Sequence, residues 1–211
     1  MKIKEYIVKQ KSEVASAFNR PAYYPIGIKN PEVFPSFLER EHDIELDPRV
    51  KNGKAFIRYI SGSDQSEYWV HISYTGYRKA YFRYLEEHFE ICPQDLTSDW
   101  HADHMLGRGF AKKFGVDYVR MCLLHKSQNT IYGSRFEKKM LKQKQNKRHI
   151  FLMDYLCAMK VLNIKIPSNR IDYENRKSEI AKSLADEGVV FFDNRGGEHS
   201  LDEYFDWWDI V

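Results

Sequence analysis

The stretch that decides the fold reads WHADHM at residues 100–105, YVRMCLL at residues 118–124 and HKSQN at residues 125–129. A loop with glycine and lysine separates the first two parts, and a basic helix is expected to start at Arg135. The order is an acid–histidine pair, a short apolar strand and an asparagine ahead of a helix. These are the parts needed to hold one metal ion against one phosphate.

The chemistry of phosphodiester hydrolysis suggests a role for each part. The reaction needs an activated water, which a neutral imidazole supplies, and charge relief on the phosphate and the departing oxyanion, which a divalent ion supplies. Mg²⁺ prefers oxygen ligands and keeps several waters, so Asp103 and the amide oxygen of Asn129 would suffice. His104 follows Asp103, and on an extended strand their side chains point to opposite faces. Both can serve one site only if the strand ends or bulges there, which Gly107 and Gly109 favour.

The charge distribution indicates a polyanionic partner for this region. The whole chain carries a formal charge of +3, but residues 101–149 hold 12 lysines and arginines against three acids, which is +9. The rest of the chain is therefore at −6. A basic centre in an acidic chain is typical of a protein that binds nucleic acid. A solvated basic helix is the alternative.

Composition and length predict a globular protein of one domain. The 211 residues are 43% hydrophobic and 30% charged. No apolar run is long enough to span a bilayer and the N-terminus lacks the apolar core of a secretion signal, so we expect a cytoplasmic protein with no membrane partner. Cys92, Cys122 and Cys157 lie far apart, which predicts reduced thiols and neither a disulfide framework nor a zinc knuckle.

The region before the central stretch has a clear periodic pattern only in its second part. Residues 1–53 have the weakest pattern, and only a short helix is expected there, at residues 12–18. Residues 54–60 and 67–74 alternate in a strand period around a turn, which predicts a β-hairpin. From Tyr77, aromatic residues recur at helical spacing and predict a helix whose tyrosines pack in the core. A tyrosine platform for stacking bases is the alternative.

The region after the central stretch predicts helices and one strand. The basic helix is expected to become apolar at residues 150–162, and a further helix is expected to end at Gly188. Residues 189–192 predict a short buried strand, and Ser200 begins a capped helix. The acidic aromatic tail, residues 202–209, is expected to pack on the core. Two functional alternatives are that it covers the basic groove as an inhibitor or engages a partner protein.

These residues resemble the HNH endonucleases, which carry the ββα-metal (His-Me finger) motif. In that motif a strand ends in an acid–histidine pair, a loop leads to a second strand, and an asparagine lies at the start of the next helix. The run RMCLLHKSQN at residues 120–129 looks like the family pattern NLVLLHKSCN. Gly133, Phe136, Glu137 and Lys138 look like the variant at the C-terminus of modification-dependent restriction enzymes. The resemblance covers roughly residues 96–187 and leaves residues 1–95 unmatched.

The resemblance implies a fold and a set of site residues. The fold is α+β, with a ββα-metal core at residues 96–165, an N-terminal β-hairpin and helix region at residues 1–95, and supporting helices with the tail at residues 166–211. The implied catalytic residues are His104 as the general base, with Asp103 and Asn129 as ligands of Mg²⁺, which Mn²⁺ could replace. The basic residues expected to bind nucleic acid are Arg108, Lys112, Arg120, Lys126, Arg135 and Lys138.

One departure from the family concerns Arg120. It stands where the family usually has an asparagine that orients the catalytic histidine. An arginine has donors only, so it cannot reproduce the two-sided hydrogen bonding of an amide. His101, ahead of the acid–histidine pair, is either a second metal ligand or a surface histidine.

The sequence thus predicts a Mg²⁺-dependent endonuclease that hydrolyses DNA, in defence against foreign DNA or as a toxin. Residues 1–95 would give substrate choice or docking. Two alternatives stay open. One is a nucleic-acid-binding module of the same fold without activity, and the other is a toxin-type ribonuclease, since nothing in the sequence reads a 2′-hydroxyl.

Overall fold

The computed structural model describes residues 2–18, 24–34, 42–96, 98–129, 148–191 and 196–208, which form a mixed α+β fold. Residues 126–129 are helical and follow directly on the strand before them. The bounds of the other elements, in chain order, are α1 Ile3–Ser16, β1 Pro25–Ile28, β2 His42–Leu46, β3 Ala55–Ile60, β4 Ser66–His71, α2 Tyr77–Phe89, β5 Trp100–His104, α3 Arg108–Phe114, β6 Tyr118–His125, β7 Ile150–Leu152, α4 Tyr155–Leu162, α5 Arg170–Asp186 and α6 Gly197–Trp208.

The antiparallel sheet is organised around β6. Its first half, residues 118–120, pairs with β4 on one edge and with β1 on the other, whereas residues 121–125 pair with β5. The strand order is β2-β3-β4-β6-β1-β7, with β5 attached to β6. The sheet is curled. Strands from residues 1–95 and from residues 96–165 share it, so the N-terminal region contributes to the same core.

The elements with clear periodicity are confirmed. Strands β3 and β4 form the expected hairpin, with Arg58 opposite Glu67. Helix α2 begins at Tyr77, and its aromatic stripe packs in the core, where Tyr81 and Tyr84 are buried. Tyr81 and Tyr84 pack on Tyr68 of β4, so this part of the stripe is core packing, whereas Tyr77 is partly exposed.

Two expectations near the central stretch are wrong. The segment after Gly107 was expected to be a loop, but it forms helix α3, because Phe110 and Phe114 lie four residues apart and both bury their rings against Phe151. Gly115 ends this helix at a φ of 76°, which favours glycine. The apolar run that starts at Ile150 is first a strand, β7, and only then helix α4.

Two expectations at the chain ends are also wrong. The helix expected at residues 12–18 begins earlier, since α1 runs from Ile3 to Ser16. Of the strand expected at residues 189–192, residues 189–191 form no strand and Val190 is exposed, and residue 192 lies outside the described residues. The tail expectation holds in part, since α6 packs Leu201 and Phe205 into the core.

Helix α1 completes the hydrogen bonding of β6. The side-chain oxygen of Gln10 accepts from the Leu123 amide at 2.8 Å, and its nitrogen donates to the Leu123 carbonyl at 3.0 Å. Gln10 is itself buried. A side-chain amide thus satisfies strand groups that no neighbouring strand uses, as buried backbone requires.

Helix α4 is the element that backs the β5–β6 pair. All eight of its residues are buried, including the single cation Lys160. Asp154 caps its start, because the Asp154 carboxylate accepts from the Cys157 amide at 2.8 Å, and Asn163 follows its last residue in the left-handed region. Neither α4 nor any other described helix is long and apolar enough to cross a membrane.

Candidate active site

Strand β5 presents its acid and its last histidine to opposite sides. Asp103 lies opposite Cys122 and His104 lies opposite Met121 in the pairing with β6. The carboxylate of Asp103 faces α4, where it meets Lys160, whereas the ring of His104 faces α2 and packs on Tyr77. The alternation of a strand therefore persists up to the end of β5.

The side of β5 that bears Asp103 also bears His101, and Asn129 approaches it. The Asn129 side-chain nitrogen lies 3.2 Å from Nδ1 of His101. Because an amide nitrogen can only donate, Nδ1 of His101 accepts, and the amide oxygen of Asn129 is left for another partner. We call His101, Asp103 and Asn129 the site face. All three are partly exposed.

The position of Asn129 is fixed by its helical neighbour. The side-chain oxygen of Gln128 accepts from the His125 amide at 3.0 Å, and its nitrogen donates to the carbonyl of Lys160 at 3.4 Å. Gln128 thus connects the end of β6 to α4. This contact holds the helical residues 126–129 against the strand pair, and it brings Asn129 to His101.

The carboxylate of Asp103 has a buried cation beside it. The Lys160 ammonium lies 2.5 Å from Oδ2 of Asp103 and donates to the backbone carbonyl of His104 at 2.8 Å. The Lys160 side chain is 1% exposed and that of Asp103 is 17% exposed. Part of the carboxylate therefore reaches solvent, while its other part neutralises the lysine.

His104 is a buried, neutral imidazole. Burial lowers its pKa from 6.5 to about 4, with Asp103 opposing the shift and Arg108 and Lys160 adding to it. Its Nε2 atom is buried and has no hydrogen-bond partner among the described residues. The ring of Tyr77 lies 4.4 Å from the His104 ring, and the Arg108 guanidinium lies 5.6 Å from the Tyr77 ring. His104 is therefore in the protonation state of a base, but Tyr77 covers it.

The neighbouring thiol takes no part in this chemistry. Cys122 lies directly across from Asp103, and burial raises its pKa to about 12. A thiol with this pKa stays protonated near neutral pH, so Cys122 is not poised as a nucleophile. This agrees with the expectation that it packs in the strand.

The donor chemistry of the site face fits a hard divalent ion. In the described ranges, no group of three or more histidine, cysteine, aspartate or glutamate side chains could hold a metal. The site face instead offers the Asp103 carboxylate and the Asn129 amide oxygen. Mg²⁺ is commonly held by few protein oxygens and several waters, so this set is of the right kind.

The expected nucleic-acid-binding residues separate into three groups. Arg108, Lys112 and Lys126 are exposed, and these three can contact phosphate. Arg135 and Lys138 lie outside the described residues. Arg120 is buried, so the expectation that it contacts nucleic acid is wrong.

Arg120 belongs to an interior charge cluster. Its guanidinium lies 2.8 Å from Glu13 and 2.8 Å from Glu67, and it stacks at 4.3 Å over the ring of Tyr24. Arg58 also pairs with Glu67, at 3.0 Å. Although burial alone would raise it, the two guanidiniums hold the pKa of Glu67 below its ordinary value. Arg120 therefore joins α1 to the sheet and does not orient His104.

Sequence reasoning missed Lys160. Its signal is a lone cation within the apolar run YLCAMKVL at residues 155–162, because a buried lysine needs an acidic partner. That partner, Asp103, is remote along the chain, and only the fold reveals the pair.

Scans of this chain against protein-family models and searches of curated proteins and of solved structures return no match. The case for a function therefore depends on the residues of the site face and on the charges around them.

Proposed function

We propose that this protein is a Mg²⁺-dependent endonuclease that hydrolyses DNA phosphodiester bonds at the site face. The ββα-metal arrangement would consist of β5, β6 and the helix that begins at Lys126. The observation that carries the proposal is the contact between Asn129 and His101, 28 residues apart, on the same side of β5 as Asp103. An acid and an amide oxygen reach one surface only because the chain folds back through β6.

Each residue of the site face has a task under this proposal. The oxygens of Asp103 and Asn129 would hold the divalent ion, and His101 orients the Asn129 amide so that its oxygen points away from the imidazole. The bound ion would relieve the charge on the scissile phosphate and stabilise the departing oxyanion. Lys126, exposed at the start of the helix, would contact a flanking phosphate.

His104 would be the general base. Its ring lies on the opposite side of β5 from the site face, so it would act around the end of the strand, which stops at His104. His104 is neutral at physiological pH, and its buried Nε2 is left without a partner among the described residues, so the nitrogen that would accept the proton is not already engaged. Under this proposal water would reach this nitrogen when Tyr77, whose ring lies 4.4 Å from the His104 ring, turns aside. Arg108 is exposed, and its guanidinium lies over the Tyr77 ring. When this guanidinium pairs with a phosphate of the substrate, the Tyr77 ring would move away from His104.

The experiment is cleavage of supercoiled plasmid DNA with Mg²⁺, with Mn²⁺ and with EDTA. Wild-type protein should nick the plasmid with either ion and stop with EDTA. Asp103→Asn and Asn129→Ala should abolish cleavage, whereas Asp43→Asn, which changes an exposed carboxylate on β2, should not. Cleavage that continues in EDTA, or that survives Asp103→Asn, contradicts the proposal. Parallel reactions on single-stranded DNA and on RNA test the ribonuclease alternative.

A second candidate function is a nucleic-acid-binding module without activity. The observations that favour it are the cover of Tyr77 over His104 and the neutralisation of Asp103 by Lys160. This candidate predicts salt-dependent DNA binding by the wild-type protein, with no cleavage under any metal ion. The plasmid assay and a binding assay on the same sample separate the two functions.

A further inference from the structure

A buried lysine stands directly behind the carboxylate of the site face. The Lys160 ammonium lies 2.5 Å from Asp103 and donates to the carbonyl of His104 at 2.8 Å. It is 1% exposed, whereas Asp103 is 17% exposed. One side of the carboxylate is thus occupied by a fixed positive charge, and another side reaches the solvent.

The lysine cannot leave this position easily. Helix α4 is buried over its whole length, and the carbonyl of Lys160 accepts from Gln128, next to Asn129. An ammonium taken out of water is costly unless an opposite charge and hydrogen bonds compensate it. Asp103 and the His104 carbonyl provide both. Moving Lys160 away would leave a charge unpaired in the core.

We infer that Lys160 is the resident counter-ion of Asp103, and that a divalent cation bound at the site face must share this carboxylate with it. The inference depends on the proposed function, which makes Asp103 a metal ligand. Two cations next to one carboxylate repel each other, so the wild-type site binds a divalent ion weakly. Lys160 is therefore a positioning residue that holds the carboxylate in place and sets the metal concentration at which the site fills.

The test is Mn²⁺ binding, followed by the loss of the free-ion signal in electron paramagnetic resonance. Lys160→Met should bind Mn²⁺ about ten-fold or more tightly than wild type, because the competing charge is gone. Adding Asp103→Asn to Lys160→Met should abolish that binding. The control Lys11→Met removes another ammonium 2.5 Å from a carboxylate, that of Glu187, and should leave the affinity unchanged. Equal affinities of wild type and Lys160→Met, or tight binding that survives Asp103→Asn, would overturn the inference.

A measurement on the wild-type protein does not depend on how the variants fold. In a nitrogen-15 NMR spectrum of the lysine ammonium groups, Lys160 should give a persistent signal, because burial slows its exchange with water. Added Mn²⁺ should broaden this signal. In separate nitrogen-15 spectra it should also broaden the side-chain signals of His101 and Asn129. A Lys160 signal that stays sharp while the His101 and Asn129 signals broaden would contradict the inference.

DNA cleavage by the same samples separates this inference from the proposed function. Suppose that Lys160→Met binds Mn²⁺ more tightly than wild type but neither protein cuts DNA. This result supports the counter-ion inference and contradicts the proposed nuclease function. If wild type cuts DNA and has the same Mn²⁺ affinity as Lys160→Met, the nuclease proposal is supported and the counter-ion inference is overturned. If both hold, half-maximal cleavage by Lys160→Met should need about ten-fold less Mg²⁺ than wild type.

Discussion

Two clusters of opposite charge lie inside this protein, and they differ in how far their carboxylates reach the solvent. In the Arg120 cluster, Glu67 is 3% exposed between two guanidiniums. In the Lys160 pair, Asp103 is 17% exposed and stands on a strand next to partly exposed polar side chains. A fully enclosed carboxylate is out of reach of a dissolved ligand. A carboxylate at the boundary can take a ligand, which is the physical reason for placing the candidate site at Asp103.

The largest expected effect comes from breaking the enclosed cluster. Arg120→Met leaves Glu67 and Glu13 without their shared partner and should lower the free energy of unfolding by about 3–5 kcal/mol. Urea denaturation measures this. Lys11→Met, which breaks a partly exposed pair, should cost about 1 kcal/mol or less. Similar losses in the two variants would show that the Arg120 cluster does not stabilise the interior as described.

The next largest effect is the dependence of stability on pH that the buried imidazole of His104 causes. Since the pKa of His104 is about 4 in the folded protein and 6.5 ordinarily, the unfolded chain binds more protons between these values. This contribution to stability is complete above pH 6.5 and falls as the pH drops towards 4, by about 3 kcal/mol. Urea denaturation across this range should show a shallower pH dependence for His104→Gln than for wild type. The exposed His149→Gln should keep the wild-type slope, and parallel curves for all three would refute the assignment.

Removing both members of the Lys160 pair together separates a role in the fold from a role in the site. Asp103→Asn with Lys160→Met leaves no unpaired charge, so the free energy of unfolding should change by only about 1 kcal/mol. Cleavage should nevertheless be lost, because the ligand is gone. Urea denaturation and plasmid cleavage on one sample test this. A large loss of stability would mean that the pair serves the fold in the same way as the Arg120 cluster.

The smallest effect is expected from charges that only contact substrate. Lys126→Ala should leave stability unchanged and weaken DNA binding a few-fold at low salt, with the slope of log affinity against log salt reduced by about one. Fluorescence anisotropy over a salt series measures both quantities. Lys29→Ala, at an exposed pair with Asp117, is the matched control. An unchanged salt slope for Lys126→Ala would remove Lys126 from the DNA interface.

Local pattern predicted the elements that place the site. Alternation and an apolar run identified the β3–β4 hairpin, and the end of β5 at His104 follows from the glycines after it. Helix α3 was missed because glycines flank it and lysines dominate its exposed side. Strand β7 was missed because a short apolar run fits a strand or a helix equally well.

The contacts that decide the chemistry could not be read from the sequence. The sequence predicts a surface cation at Arg120 because nothing local marks its partners, which α1 and β4 supply. Lys160 comes from a helix far along the chain from Asp103. The cover of Tyr77 over His104 likewise depends on how α2 packs on β5. Pairings between remote residues are properties of the fold and not of any window of sequence.

The most direct test of the central claim is DNA cleavage by His104→Gln at saturating Mg²⁺, with DNA binding measured on the same sample. Glutamine is a polar side chain of similar size to histidine, but it cannot act as a base near neutral pH. Cleavage by His104→Gln should fall about 100-fold or more, with DNA binding retained. Cleavage by His104→Gln at the wild-type rate would contradict the claim, as would a wild-type protein that binds DNA and does not cut it.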